Sequence, residues 1–246
     1  MSGPLEIIIA AEDESDARRV RILIDRLLCD ADDWVREDPA QLDHLRRWRG
    51  ETEASGFVDI HKIHDLAKAR RIPMPLGKFG ELYDLPLIRR FLLMMQRAEA
   101  RPHAIVWIRD TDGDLNRGKA WDEARSKFVA DFMVLLGGFP HECMEAWLLT
   151  TWANGTHYDD ERVAGPRRQL GFNPATQPHL LSHKTNVPKS AKAIVSALAV
   201  EGDETFESCD LQALLAGDDE AGLAAFLRLV REQLIPAVRQ GPSDPS

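Results

Sequence analysis

The sequence predicts an α/β fold, a mostly parallel sheet flanked by helices, on three observations. Leu5–Ala11 (LEIIIAA) is a continuous apolar run, rich in isoleucine, that ends in a burst of acid at Glu12, Asp13 and Glu14. Ala104–Ile108 (AIVWI) repeats the pattern and ends in Arg109, Asp110, Thr111, Asp112, Gly113 and Asp114. Short apolar runs without alternation are what strands buried on both faces of a parallel sheet look like. Segments of helical spacing alternate with them, as in a layered α/β domain.

The elements follow in order. Residues 15–29 place Ala17, Val20, Ile24, Leu27 and Leu28 on one helical face. Residues 32–49 are polar, carry Trp34 and Trp48, and read as partly helical, while GFVDI at 56–60 reads as a short strand. Residues 63–71 and 85–100 read as helices, and 72–75 with Gly77 and Gly80 breaks the pattern between them. Helical periodicity through Trp121, Ala124, Phe128, Phe132 and Leu135 predicts a helix over 118–136, stopped at Gly137 and Gly138. EAWLLTTW at 145–152 is an apolar helix. Residues 165–183 hold Pro166, Pro174 and Pro178 and read as loop, whereas 190–199 and 221–238 read as helices packed on the rest. The expected organisation is a catalytic domain over 5–155 with a helical insertion at about 30–100. A helical extension over 156–240 packs on the same domain, and residues 1–4 and 241–246 read as disordered ends.

Composition narrows the function. The 246 residues suit one large domain, and 44% hydrophobic with 29% charged residues suits a soluble globular chain. No apolar stretch approaches the roughly 20 residues of a membrane span, and the start lacks a signal-peptide pattern. Cys29, Cys143 and Cys209 are odd in number and widely spaced, which suits free thiols and a cytoplasmic protein. The net charge of −9 argues against phosphate binding through an excess of Lys and Arg. An enzyme that meets phosphate through metal ions remains, and such a site needs clustered carboxylates.

In an open parallel sheet, ligands bind outside the carboxyl ends of the strands. Glu12 leaves the first apolar run there; Asp110 and Asp112 leave the second. Their alternate spacing puts both aspartates on one side if the chain stays extended. Carboxylates so gathered repel unless a cation sits between them, and oxygen-only ligands select Mg²⁺, Mn²⁺ or Ca²⁺ over zinc.

These acids resemble the Toprim domain, the metal-binding module of topoisomerases, primases and OLD-family nucleases. That module has a glutamate after its first strand, here Glu12 in AAEDES, and a D-x-D after a later one, here Asp110-Thr111-Asp112 in WIRDTDGD. The chain is more similar still to small Toprim-like proteins encoded beside AAA/ABC-type ATPases in bacterial antiphage systems. Those often read E-G-x-[ST]-E, then D-x-D-G, then E-A-W-L-L. Here the matches are Glu12 to Asp16, Asp110 to Gly113, and Glu145-Ala146-Trp147-Leu148-Leu149, with Asp13 where the family commonly has glycine. The resemblance covers roughly residues 5–152.

The resemblance implies a Rossmann-like sheet and a nuclease that uses Mg²⁺ or Mn²⁺, with two ions. Glu12 would be a ligand or the general acid/base, Asp110 and Asp112 ligands, and Glu145 would complete the shell. A downstream lysine, Lys184 or Lys189 in HKTNVPKS, would neutralise charge on the phosphate. The implied partners are a nucleic-acid substrate and an AAA/ABC-type ATPase, in an effector role in defence; a homo-oligomer is left open by the sequence.

Two other functions fit parts of the pattern. A HAD-type phosphatase would use Asp110 as nucleophile and Asp112 as acid/base. Against it, Asp114 replaces a hydroxyl residue, the motif lies deep in the chain, and Gly217-Asp218 lacks a preceding strand. A non-catalytic Toprim-like adaptor would use the same helices to bind an ATPase. An EF-hand fails, because Leu115 and Trp121 occupy its glycine and glutamate positions. Simpler roles are a helix cap for Asp114, core packing for Trp147, and dipole-favouring charges for Asp13, Glu14 and Asp16. His61 and His64 read as surface or partly buried histidines, and Arg18 and Arg19 lie where a phosphate would pass Glu12.

Overall fold

The computed structural model describes residues 3–51, 55–75, 80–200, 202–217 and 220–241. Gly77 of the break read between two helices, Asp218 of the phosphatase alternative, and the chain ends at 1–2 and 242–246 lie outside them. Strand β1 (Leu5–Ala11) buries every residue but Glu6 and lies inside a parallel five-stranded sheet. Helix α1 (Glu14–Ala31) follows, buries Ala17, Val20, Leu23, Ile24, Leu27 and Leu28, and is capped by Asp13. Then come α2 (Asp33–Glu37), α3 (Leu42–Leu45), β2 (Arg46–Arg49), β3 (Val58–Asp59), α4 (Ile63–Ala69) and α5 (Leu85–Gln96). The second half runs β4 (Ala104–Ile108), α6 (Asn116–Arg125), β5 (Val134–Gly138), α7 (Met144–Ala153) and α8 (Asp160–Leu170). It ends in α9 (Ala191–Ala197), α10 (Gly202–Ser208), α11 (Leu211–Ala216), α12 (Leu223–Leu229) and α13 (Ile235–Gln240). A π-helical turn over Val230–Leu234 joins the last two.

The strand order is β2–β1–β4–β5, with β3 also on β1. β2 pairs Leu5 to Ile8 and β3 pairs Ala10 and Ala11, so the two share one flank of β1 in succession. Alternate residues feed two cores, as the period of a strand requires. Ile7, Ile9, Ala11, Val106, Ile108 and Leu136 meet α1, α7 and the C-terminal helices. Ile8, Ala10, Ile105, Trp107 and Leu135 meet α4, α5 and α6, where Trp107 stacks on Trp121 with centroids 6.0 Å apart. The 156–240 segment shares the first core, through Val163, Phe206, Leu214, Phe226 and Leu234.

Several elements differ from the sequence expectation. The 30–100 stretch, expected as a helical insertion, also supplies β2 and β3 to the sheet. β2 is RRWR and has no apolar run to betray it. Its polarity is satisfied locally: Arg46 forms a two-pronged contact with Asp25 at 2.8 and 2.9 Å, reaches Asp43 at 2.8 Å, and lies over the Trp48 ring. Arg49 reaches Glu6 at 2.6 Å.

The helix expected over 118–136 ends at Arg125, and Val134–Gly138 is a strand. Gly137 and Gly138 therefore do not stop a helix; they make room. A Cβ at Gly137 would stand 2.6 Å from Trp121 Cδ1, and one at Gly138 2.6 Å from Ile108 Cδ1. The loop expected at 165–183 contains most of α8, which runs through Pro166 and ends at Gly171 in the left-handed conformation. Among the described residues no helix is long and apolar enough to cross a membrane. Cys29, Cys143 and Cys209 are free thiols.

Candidate active site

The strands β1, β4 and β5 are parallel and in register, Ala10 beside Trp107 and Trp107 beside Gly137, so their carboxyl ends finish together. Glu12 leaves β1 there, Asp110 stands two residues past β4, and Glu145 opens α7 after the β5 exit. The β4 and β5 exits are fastened to each other by backbone bonds. Arg109 N donates to Gly138 O, Thr111 N to Pro140 O and Asp112 N to Glu142 O, at 3.0 to 3.1 Å. The buried Thr111 hydroxyl accepts from Glu142 N at 2.7 Å.

Asp112 and Glu142 both have positive φ, 48° and 62°. Left-handed backbone at non-glycine residues costs energy and gathers at functional sites. The condition under which alternate spacing would put Asp110 and Asp112 on one side, an extended chain, is not met: the chain turns at Asp112, and its carboxylate faces Arg117 at 2.9 Å. The Asp13 departure, by contrast, costs nothing. Its φ of −146° is ordinary extended backbone, and its carboxylate caps α1 by accepting from Asp16 N at 2.9 Å. Burial tends to raise the Asp13 carboxyl, but bonds from Asp16 N and Ser15 outweigh it and hold the group below its usual range.

Asp16, which ends the first motif and reads from sequence as a dipole-favouring charge, belongs to this cluster. It is 7% exposed, one helical turn beyond Glu12. Burial, then Asp13, pushes its carboxyl up to about 7; Arg19 at 3.3 Å pulls the other way, and Glu145 and Glu12 add to the rise. Asp110 is pushed up to about 8, first by burial and then by Asp16, Glu12, Glu145 and Asp112. Cys143, beside Glu145, has its thiol raised by burial and by that acid, so it stays protonated. The donors of this edge are oxygens.

Two arginines border the cluster. Arg117 Nη1 donates to the Asp110 carbonyl at 2.5 Å and lies 3.8 Å from Glu12 Oε1. Arg109 Nε lies 3.6 Å from Glu12 Oε1 and 3.1 Å from Asp84 Oδ2. Glu12 and Asp112 thus face these two arginines, while Asp16, Asp110 and Glu145 crowd one another, with Arg19 beside Asp16 and Lys192 beside Glu145. With the side chains so placed, no three His, Cys, Asp or Glu among the described residues are grouped to hold a metal ion.

Neither candidate lysine pairs with an acid among the described residues. Lys184 is exposed, and Lys189 lies over the Phe172 ring, 5.6 Å from its centroid. The lysine that reaches the cluster is Lys192, 3.9 Å from Glu145, at the first turn of α9. Asp114 accepts from Asn116 N at 2.9 Å, but the N-cap position of α6 is Leu115, and Trp147 is core, its Nε1 donating to Ala221 O. His64 contacts Arg90, His61 is exposed, and Arg18 pairs with Asp203 at 2.5 Å.

No known protein family, curated protein or solved structure matches the chain.

Proposed function

We propose that this chain is a divalent-metal-dependent phosphodiesterase acting on nucleic acid, with Glu12, Asp16, Asp110, Asp112 and Glu145 as its acid set. Asp110 carries the reading. It is a half-buried carboxyl just beyond a central strand, with four other acids around it and no cation on its side chain among the described residues. Acids so placed repel one another, and a hard cation relieves the repulsion. The donor chemistry fits Mg²⁺ or Mn²⁺, because every candidate ligand is a carboxylate. Asp16, Asp110 and Glu145 would hold the ions, with Glu12 and Asp112 joining them as their arginine contacts loosen.

A divalent cation bound there supplies activation of water and neutralises charge on the phosphodiester. The chain's own groups do the rest. Glu12, a quarter exposed just beyond β1, would act as a ligand or as the general acid/base, its Oε1 now facing Arg109 and Arg117. Arg109 and Arg117 add fixed positive charge for the transition state. The Toprim-like order of the acids supports nucleic acid as the substrate class. The similarity to proteins paired with AAA/ABC-type ATPases supports an effector role in antiphage defence.

The test is cleavage of mixed DNA and RNA with Mg²⁺ or Mn²⁺, by wild type and Asp110→Ala. Cleavage should need the metal and fall about 10³-fold in the variant. It should also rise with pH towards the region of about 7 to 8, as Asp16 and Asp110 lose their protons to solvent and the cation takes their place. Cleavage that persists in EDTA, or in the variant, overturns the reading.

A further inference from the structure

The chain is acidic overall, yet one long stretch has no acid at all. Residues 162–192 contain none of the 40 Asp and Glu but six of the 31 Lys and Arg: Arg162, Arg167, Arg168, Lys184, Lys189 and Lys192. An even spread would place about five acids there. Lys192 faces Glu145. The other five pair with no acid among the described residues, and all five are exposed.

The stretch is fastened to the acid cluster at two points. His183 Nδ1 lies 2.7 Å from Glu142 Oε2, and His183 N donates to the same oxygen at 3.1 Å. Lys192 Nζ lies 3.9 Å from Glu145. Between these points the chain closes on itself: Ser182 N donates to Lys189 O at 2.8 Å and Ala191 N to Ser182 O at 2.9 Å. Lys184 and Lys189 therefore stand on a loop with a fixed base beside the acids. Arg162 is pinned over the Trp152 ring and donates to Ala199 O.

We infer that residues 162–192 form a track for the sugar-phosphate backbone of a nucleic acid and lead it to the acids; this deepens the proposed function and rests on it. Cations spaced along an exposed surface match phosphates spaced along a strand, and such contacts position without reading sequence. An acidic protein is the poorer match, because Leu180 is the one large apolar side chain exposed on the track among the described residues. Phe172 lies under Lys189, half-buried, so the track offers charge more than base stacking.

The test is fluorescence anisotropy of labelled single-stranded DNA, duplex DNA and single-stranded RNA in EDTA, where no metal chemistry takes part. The variants are Lys184→Gln with Lys189→Gln, and Arg167→Gln with Arg168→Gln. All four side chains are exposed, and circular dichroism checks the fold. Each pair should weaken binding about tenfold at low salt and flatten the log–log salt dependence by about 1.5. Which of the three probes binds tightest names the backbone. Unchanged affinity and slope in both pairs would overturn the track, as would a polyglutamate peptide that outcompetes every oligonucleotide. Because binding is read without metal, a failed track leaves the cleavage reading standing, and a failed metal site leaves the track measurable.

Discussion

Asp110→Asn is expected to abolish metal-dependent cleavage and, in the same protein without metal, to raise its thermal stability. The two effects share one cause. In the folded chain Asp110 holds its proton up to about pH 8, because burial, Asp16, Glu12, Glu145 and Asp112 all oppose its ionisation. In the unfolded chain it ionises near its ordinary value of 3.8. The stability this group supports is therefore fully present below that ordinary value and is lost as pH rises through about 8. Asparagine fills the same space without the charge.

The variant should thus melt close to wild type below about pH 4 and increasingly higher as pH rises to about 8. A difference of about 2 kcal/mol at pH 8 corresponds to about 4 to 8 °C in a chain of this size. Mg²⁺ should raise the wild-type midpoint and leave the variant's alone, because only the ionised cluster binds the cation. Scanning fluorimetry across pH, with and without Mg²⁺, checks all of this. A variant destabilised equally at both ends of this pH range would mean that Asp110 is structural.

Gly138→Val should produce the largest loss of stability, about 3 kcal/mol or more by overpacking. Its new Cβ would meet Ile108 Cδ1 at 2.6 Å, Trp147 Cη2 at 2.9 Å and Phe226 Cδ2 at 3.0 Å, from β4, α7 and α12 at once. These are buried side chains with nowhere to retreat. Gly138 O also accepts from Arg109 N, so the same strain reaches the turn that presents Asp110. Urea midpoints compare it with Gly165→Ala, whose Cβ would meet nothing within 4 Å and which should be near neutral or slightly stabilising. Equal midpoints for the two would contradict the close-approach account of Gly138.

Those glycines also show why the sequence misleads at β5. Phe132, Leu135 and the glycines fit a helix and its stop as well as they fit a buried strand, since a short apolar run carries no period of its own. The choice is made by Trp121, Ile108 and Trp147, which need the space. β2 is hidden for the opposite reason: its arginines are neutralised by Asp43 three residues before Arg46 and by Asp25 and Glu6, which are distant in sequence. β1 and β4, buried on both faces by composition alone, are legible to the residue.

The site divides the same way. Glu12, Asp110 and Glu145 can be placed at one edge from strand ends and motif order. Asp16 has a legible signal, the acid four residues after Glu12, but its burial comes from tertiary packing that a helix start does not reveal. The turn at Asp112 and the lysine that reaches Glu145 depend on the β5 exit and on α9.

The most direct measurement is titration calorimetry of Mn²⁺ into the metal-free protein at about pH 7.5, in two buffers of different ionisation heat, for wild type and Asp110→Asn. The account predicts saturable binding by wild type with release of protons from Asp16 and Asp110, and its loss in the variant. Binding without proton release, or equal binding by both proteins, would contradict it.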